Sequence, residues 1–202
     1  MSKFMQNLNN NILGAVGIKT TGLDPKKHDI MQIAVIPLDS SVAPDKRHIP
    51  FQVDMKPNRP ENIDPDAVKI DRQQLCDIQV RGVDQDRAAD YLVEWWERLG
   101  LAWNKRIMLI GFDWFYIKSF LVEWLGPTTF DLCFDPICRD VQIVSTFCND
   151  RDGWIGRDFT YPKVDFNYLC TQLRIERVGK KDALETARLT AEIYKRIVQQ
   201  FV

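Results

Sequence analysis

Two long apolar runs joined by one short polar turn constrain this chain more than any other feature. Ile12-Leu13-Gly14-Ala15-Val16-Gly17-Ile18 and the run from Ile30 to Leu38 both have the length and continuity of buried strands. Between them, Thr20-Thr21-Gly22-Leu23-Asp24-Pro25 reads as a turn. A third stretch, His48 to Lys56, alternates Ile49, Phe51, Val53 and Met55 with polar neighbours, the pattern of a strand with one solvated face. The break from Pro37 to Pro44 is turn-like, so these three strands are expected to form an antiparallel meander.

The rest of the chain alternates between helix and strand. After a loop from Asn58 to Gly82 with only short helical pieces, Asp84 is the expected N-cap of a helix to Leu99, with Ala88, Leu92, Trp95, Trp96 and Leu99 inward. Arg106 to Gly111 reads as a fourth, buried strand, and Asp113 to Leu125 as a helix stopped by Gly126-Pro127. Thr129 to Phe134 is the expected fifth, edge strand. Helices are expected over Arg139 to Phe147 and Asp165 to Leu173, with a loop at Asn149 to Gly156, and Asp182 opens a last helix running nearly to Val202. This order predicts an α/β fold: a mixed five-stranded sheet, three antiparallel strands followed by strand–helix units, flanked by helices. One domain over 12–202 follows a short flexible tail over 1–11.

Three short segments carry a resemblance. Gly17-Ile18-Lys19-Thr20-Thr21-Gly22-Leu23-Asp24-Pro25 resembles the first motif of the DnaQ-like (DEDDh) 3′–5′ exonucleases of the ribonuclease-H-like superfamily, which reads Asp-x-Glu-Thr-Thr-Gly-Leu-Asp-Pro. Gly111-Phe112-Asp113-Trp114-Phe115-Tyr116-Ile117-Lys118-Ser119-Phe120-Leu121 resembles the second, Gly-His-Asn-x-x-Phe-Asp-x-x-Phe-Leu. Lys181-Asp182-Ala183-Leu184-Glu185-Thr186-Ala187-Arg188-Leu189-Thr190-Ala191 resembles the third, His-x-Ala-Leu-x-Asp-Ala-x-x-Thr-Ala. Arg139 to Ile143 and Pro162 to Cys170 are similar to segments of bacterial and phage members. The resemblance spans roughly Ile12 to Val198 and implies a ribonuclease-H-like architecture, the one the element order predicts.

In that family two divalent cations, held by four carboxylates, clamp a phosphodiester while a histidine deprotonates the attacking water. Here every matching position is changed. Gly17, Lys19, Ile117 and Thr186 stand at the acids, and Lys181 at the histidine. An anionic cluster becomes a cationic one, so divalent metal is opposed by charge as well as left without ligands. Displaced acids do not restore the set. Asp113 falls at a helix start, where Asp is a routine N-cap, and Asp24 belongs to the turn. Glu185 is rotated by about 100° from Thr186 and forms with Asp182 the spacing of a capping box.

The expected function is therefore that of a pseudo-enzyme: an exonuclease fold without metal, cofactor or hydrolysis, kept as a binding module. Two occupants are compared. A nucleic-acid end or phosphate would meet Lys19, Thr20, Thr21, Gly22, Leu23 and Lys181. A protein partner would meet the aromatic helix after Asp113, at Trp114, Tyr116 and Trp124. A net charge of −1 provides no global attraction to nucleic acid and favours the protein. The rivals are a 3′–5′ exonuclease on single-stranded DNA or RNA ends with relocated ligands, and an engineered inactive variant. Related nucleases often dimerise, which adds a homodimer to the expectations.

Five cysteines at scattered spacings, without C-x-x-C and far from His28 and His48, argue against a zinc site and for reduced thiols. No run approaches the roughly 20 apolar residues of a membrane span, and 1–11 lacks the apolar segment of a leader. The expected location is the cytoplasm, that of the host for a phage-encoded chain.

Overall fold

The computed structural model describes residues 11–39, 42–65 and 72–200, the side chains at 72 and 73 excepted. The expected tail thus lies outside the described residues except for Asn11. That residue is buried: its amide donates to the Asp135 carboxylate and its carbonyl accepts from the Arg106 N–H at 3.1 Å.

Strand β1 (Ile12–Thr20) is the centre of the sheet. It pairs antiparallel with β2 (Ile30–Leu38), which is buried at every position, and β2 pairs antiparallel with β3 (Phe51–Asp54). On its other side β1 pairs parallel with β4 (Ile107–Gly111), and β4 with β5 (Arg139–Asp140), giving the order β3-β2-β1-β4-β5. The helices are α1 (Arg72–Arg81), α2 (Gln85–Arg98), α3 (Trp114–Cys133), α4 (Val141–Trp154), α5 (Phe166–Gln172) and α6 (Ala183–Gln199). The expected mixed five-stranded α/β architecture is the observed one.

The period of two along the strands divides the core between the faces. Leu13, Ala15, Ala34 and Ile36 meet α4, α5 and α6, whereas Val16, Ile33, Val35 and Leu109 meet α2 and α3. Helix α6 comes especially close to the sheet because both surfaces are shaved. Ala183, Ala187 and Ala191 form a ridge at i, i+4 and i+8, and they lie over a face carrying Ala15, Gly17 and Ala34.

Four expectations need correction. Thr129 to Cys133 is helical, and only Phe134 is extended, in a single bridge to Ile107. Gly126 turns the chain at φ 71°, Pro127 starts a new helical segment within α3 that buries Phe130, and Phe134 is buried just past its end. The fifth strand is instead the two-residue β5. Helix α4 starts at Val141, after the Asp140 cap, and continues to Trp154, absorbing most of the expected loop at Asn149 to Gly156. Its last turn is held by Asp152, which is buried and accepts from the Thr160 N–H at 2.9 Å and from Arg151 at 2.8 Å. Those bonds keep the Asp152 carboxyl well below its usual range, at about 2. Third, β3 covers only Phe51–Asp54, with Met55 bridging to Val83. Fourth, Asp84 precedes α2 but its side chain caps nothing.

Candidate functional site

The motif positions lie on three elements. β1 carries Gly17 and Lys19, α3 carries Ile117, and α6 with the loop before it carries Lys181 and Thr186. Gly17 and Lys19 point to the α6 side, since they pair across the sheet with Ala34 and Gln32. The structure brings Gly17 and Thr186 together: a Cβ added at Gly17 would stand 2.9 Å from the Thr186 Cβ. It would also stand 2.2 Å from the Ala183 carbonyl oxygen and 2.7 Å from the Ala187 nitrogen. These are backbone atoms of α6, so the helix itself occupies the space a side chain at 17 would need. No carboxylate fits there unless α6 moves.

The other positions are equally committed. Thr186 turns its hydroxyl back to the Asp182 carbonyl at 2.9 Å. Ile117 is 4 % exposed and packs in the apolar cluster of α2 and α3, beside Gly111 and Val16. Lys19 is half-buried and sits opposite Gln32, whose amide donates to Asp54 at 2.9 Å, whereas Lys181 is exposed.

The acids weighed as replacements have local duties. Asp113, in the left-handed region at φ 62°, accepts from the Tyr116 N–H and caps α3. Asp182 accepts from the Glu185 N–H at 2.8 Å and caps α6. The capping box is only half formed, because Glu185 does not reach back. Its carboxylate takes two charge-assisted bonds from Arg188 at 2.7 Å and the Val178 N–H at 2.7 Å, tying the preceding loop to α6. Burial pushes this carboxyl up, but Arg188 and the Val178 N–H outweigh it and leave the group below its usual value. The Lys26 N–H holds the half-buried Asp24 low, and Lys27 lies 3.5 Å from it. Among the described residues no group of three or more His, Cys, Asp or Glu is placed to hold a metal.

The turn expected to cradle a nucleic-acid end is internally bonded. Thr20 donates to the Gly22 carbonyl at 2.7 Å and shares a 2.5 Å bond with the Tyr116 hydroxyl. Thr21 is fully buried, and its hydroxyl accepts from the Asp29 N–H at 2.9 Å. Of the predicted quartet Thr20, Thr21, Gly22 and Leu23, only Leu23 presents an exposed side chain.

Of the expected partner surface, Trp114 is buried, and Tyr116 and Trp124 are half-buried. Trp114 packs against Phe130, Tyr116 is bonded into the turn, and Trp124 donates its indole N–H to the Gln85 carbonyl at 3.0 Å. On α3 the exposed apolar residues are Phe115 and Leu132, and a larger group lies on and just after α4. Ile143, Phe147 and Trp154 lie along one face of α4, with Ile155 and Phe159 exposed just beyond it. The spacing of i, i+4 and i+11 carries that signal in the sequence, but it is lost once a loop is assigned from Asn149.

The family model described as Exonuclease (RNase_T) matches residues 19–194. None of the curated proteins matches the sequence. Among solved structures, the chain is similar to the nuclease domain of 3'hExo, a DEDDh family member bound to rAMP. That match has a TM-score of 0.66 and 13% identity over 98% of this chain and 94% of that one. It is also similar to exonuclease I from Methylocaldum szegediense, with a TM-score of 0.66 and 18% identity over 94% of this chain and 40% of that one. For E. coli exonuclease I in complex with an oligonucleotide the values are 0.60 and 15%, over 95% and 42%. The chain thus spans about two fifths of the exonuclease I chains and nearly all of the 3'hExo domain. Among the described residues no helix is long and apolar enough to cross a membrane.

Proposed function

Because the chain belongs to the RNase_T exonuclease family, with the DnaQ-like, ribonuclease-H-like fold, we propose that it is a silent member, a pseudo-nuclease kept as a binding module for a protein partner. The observation that carries this reading is the contact between Gly17 and the backbone of α6, which fills the place of a metal-binding carboxylate. Around it, Lys19, Ile117 and Thr186 supply no anionic oxygen, and Lys181 replaces the general base. A unit positive charge about 4 Å from a cation costs roughly 4 kcal/mol per charge at a moderate effective dielectric. Lys19 therefore opposes a divalent metal where the family's acid would attract one.

A protein suits this molecule better than a nucleic-acid end. The turn hydroxyls are spent on internal bonds, and the apolar stripe on α4 offers the aromatic and aliphatic anchors that protein interfaces use. The segments at Arg139 to Ile143 and Pro162 to Cys170, similar to those of phage members, favour a phage-encoded inhibitor or polymerase accessory acting in a host cytoplasm.

Calorimetric titration with magnesium and with manganese tests the proposal. The expected result is no saturable heat with either ion up to millimolar concentration. Saturation at two ions per chain overturns it.

A further inference from the structure

We propose that the cavity between the first turn, α2 and α3 binds an organic cation carrying N–H donors, the chemistry shared by an arginine or lysine side chain and a free polyamine. The cavity has a volume of about 340 Å³, and none of the five motif positions lines it. It goes beyond the pseudo-nuclease reading and does not depend on it.

Three features select the ligand class. The first is charge. Asp86 and Glu123 stand at the wall, both exposed, and neither makes a hydrogen bond or ion pair with another described residue. The cavity's one arginine does not balance them. Arg59 spends its guanidinium on Asp29 at 2.7 Å and on the carbonyls of His28 and Lys26. An anion entering here would meet two uncompensated carboxylates; a cation is attracted by both.

The second feature is an unpartnered acceptor on a mostly buried side chain. Gln85 is 5 % exposed and lines the cavity. Its amide nitrogen donates to the carbonyls of Ile30 and Lys56, both at 2.8 Å, which fixes which end of the amide is nitrogen. The oxygen at the other end accepts from no described residue. That oxygen is open to a donor, and a ligand N–H supplies one. The third feature is the wall itself. Phe120 and Trp124 contribute aromatic surface, and the Trp124 indole N–H is already bonded to Gln85, so that ring offers its carbon faces. Carboxylates, one carbonyl oxygen and aromatic carbon together suit guanidinium or ammonium on an alkyl stem, with the head on the oxygens and the stem on the rings.

The test is a two-dimensional amide titration of the whole nitrogen-labelled protein with N-acetyl-arginine methylamide, a tri-arginine peptide, spermidine and N-acetyl-glutamate methylamide. Saturable shifts at the Trp124 indole N–H and the Gln85 side-chain amide are expected for the cations and not for the glutamate compound. The double variant Asp86→Asn with Glu123→Gln removes two carboxylates that bond to no described residue, so the fold is retained, and it should weaken binding by about fivefold or more. Tightest binding by the peptide assigns the site to a partner's basic segment, and tightest binding by spermidine to a free polyamine. Shifts that fail to saturate across the millimolar range, equal affinity in the double variant, or binding of the glutamate compound overturns the proposal. Nuclease and metal assays do not bear on it.

Discussion

Gly17→Ala should lower the melting temperature of this domain by about 6–12 °C, the shift that a loss of about 3 kcal/mol produces in a chain of this size. Strand propensity predicts the opposite sign, since glycine inside a strand costs about 0.5–1 kcal/mol relative to alanine. The reversal comes from the 2.2 Å separation between an added Cβ and the Ala183 carbonyl oxygen, which forces either β1 or the first turns of α6 to move. Moving α6 separates the ridge of Ala183, Ala187 and Ala191 from the sheet, so a local clash becomes a loss of core packing. Gly17→Asp should cost more still, because it adds a carboxylate to the same overfilled space. Gly153→Ala is a matched control: it lies in α4, and the nearest atom to an added Cβ is on the exposed Phe159 ring at 3.3 Å. Differential scanning calorimetry of the three variants decides the matter, and a Gly17→Ala protein melting within 2 °C of the parent, about the shift of 1 kcal/mol, contradicts the close approach of α6.

Ile117→Asp is the second large effect. Ile117 is 4 % exposed within the α2 and α3 cluster, so the change forfeits a buried aliphatic side chain, about 2–5 kcal/mol, before any charge is considered. The new carboxyl then faces apolar neighbours, and burial raises its pKa in the folded state. The sign of the pH effect follows. The folded protein binds the proton more tightly than the unfolded chain, so stability falls as pH rises from the ordinary aspartate range towards the raised value. Urea unfolding at pH 5 and pH 8 should show a loss of about 4 kcal/mol or more, larger at pH 8. A loss below 1 kcal/mol at both values contradicts it. Together with the Gly17 variants, this variant predicts that single substitutions towards the family pattern damage the fold.

What could be read from the sequence follows from what each residue's role depends on. β2 was legible to its ends, Ile30 and Leu38, because an unbroken apolar run between turns has few other uses. The caps at Asp113 and Asp182 were legible because capping is a contact with the next few residues. β5 was not. It joins the sheet through two residues, pairing Arg139 with Ile110 and Asp140 with Gly111, and a backbone ladder that short leaves no side-chain pattern. The continuation of α4 was hidden for a related reason: Asp152 looks like a loop residue until Thr160, eight positions on, is seen to bond it.

The candidate site divides in the same way. The five motif positions were assigned by the resemblance, and the structure brings two of them, Gly17 and Thr186, together. That α6 fills the space at Gly17 could not be read, because it depends on how far a helix stands from a sheet. Of the α3 aromatics expected at a surface, Trp114 is buried against Phe130, whereas Tyr116 and Trp124 stay half-buried while bonding Thr20 and Gln85, contacts that no periodicity announces.

The central claim is the absence of metal-dependent hydrolysis, and it is tested most directly on end-labelled single-stranded DNA and RNA incubated with the purified protein and magnesium or manganese. The account predicts substrate of unchanged length at protein concentrations equal to those of the substrate, with either metal. Stepwise 3′ shortening that requires the metal and follows this protein through every purification step would contradict it.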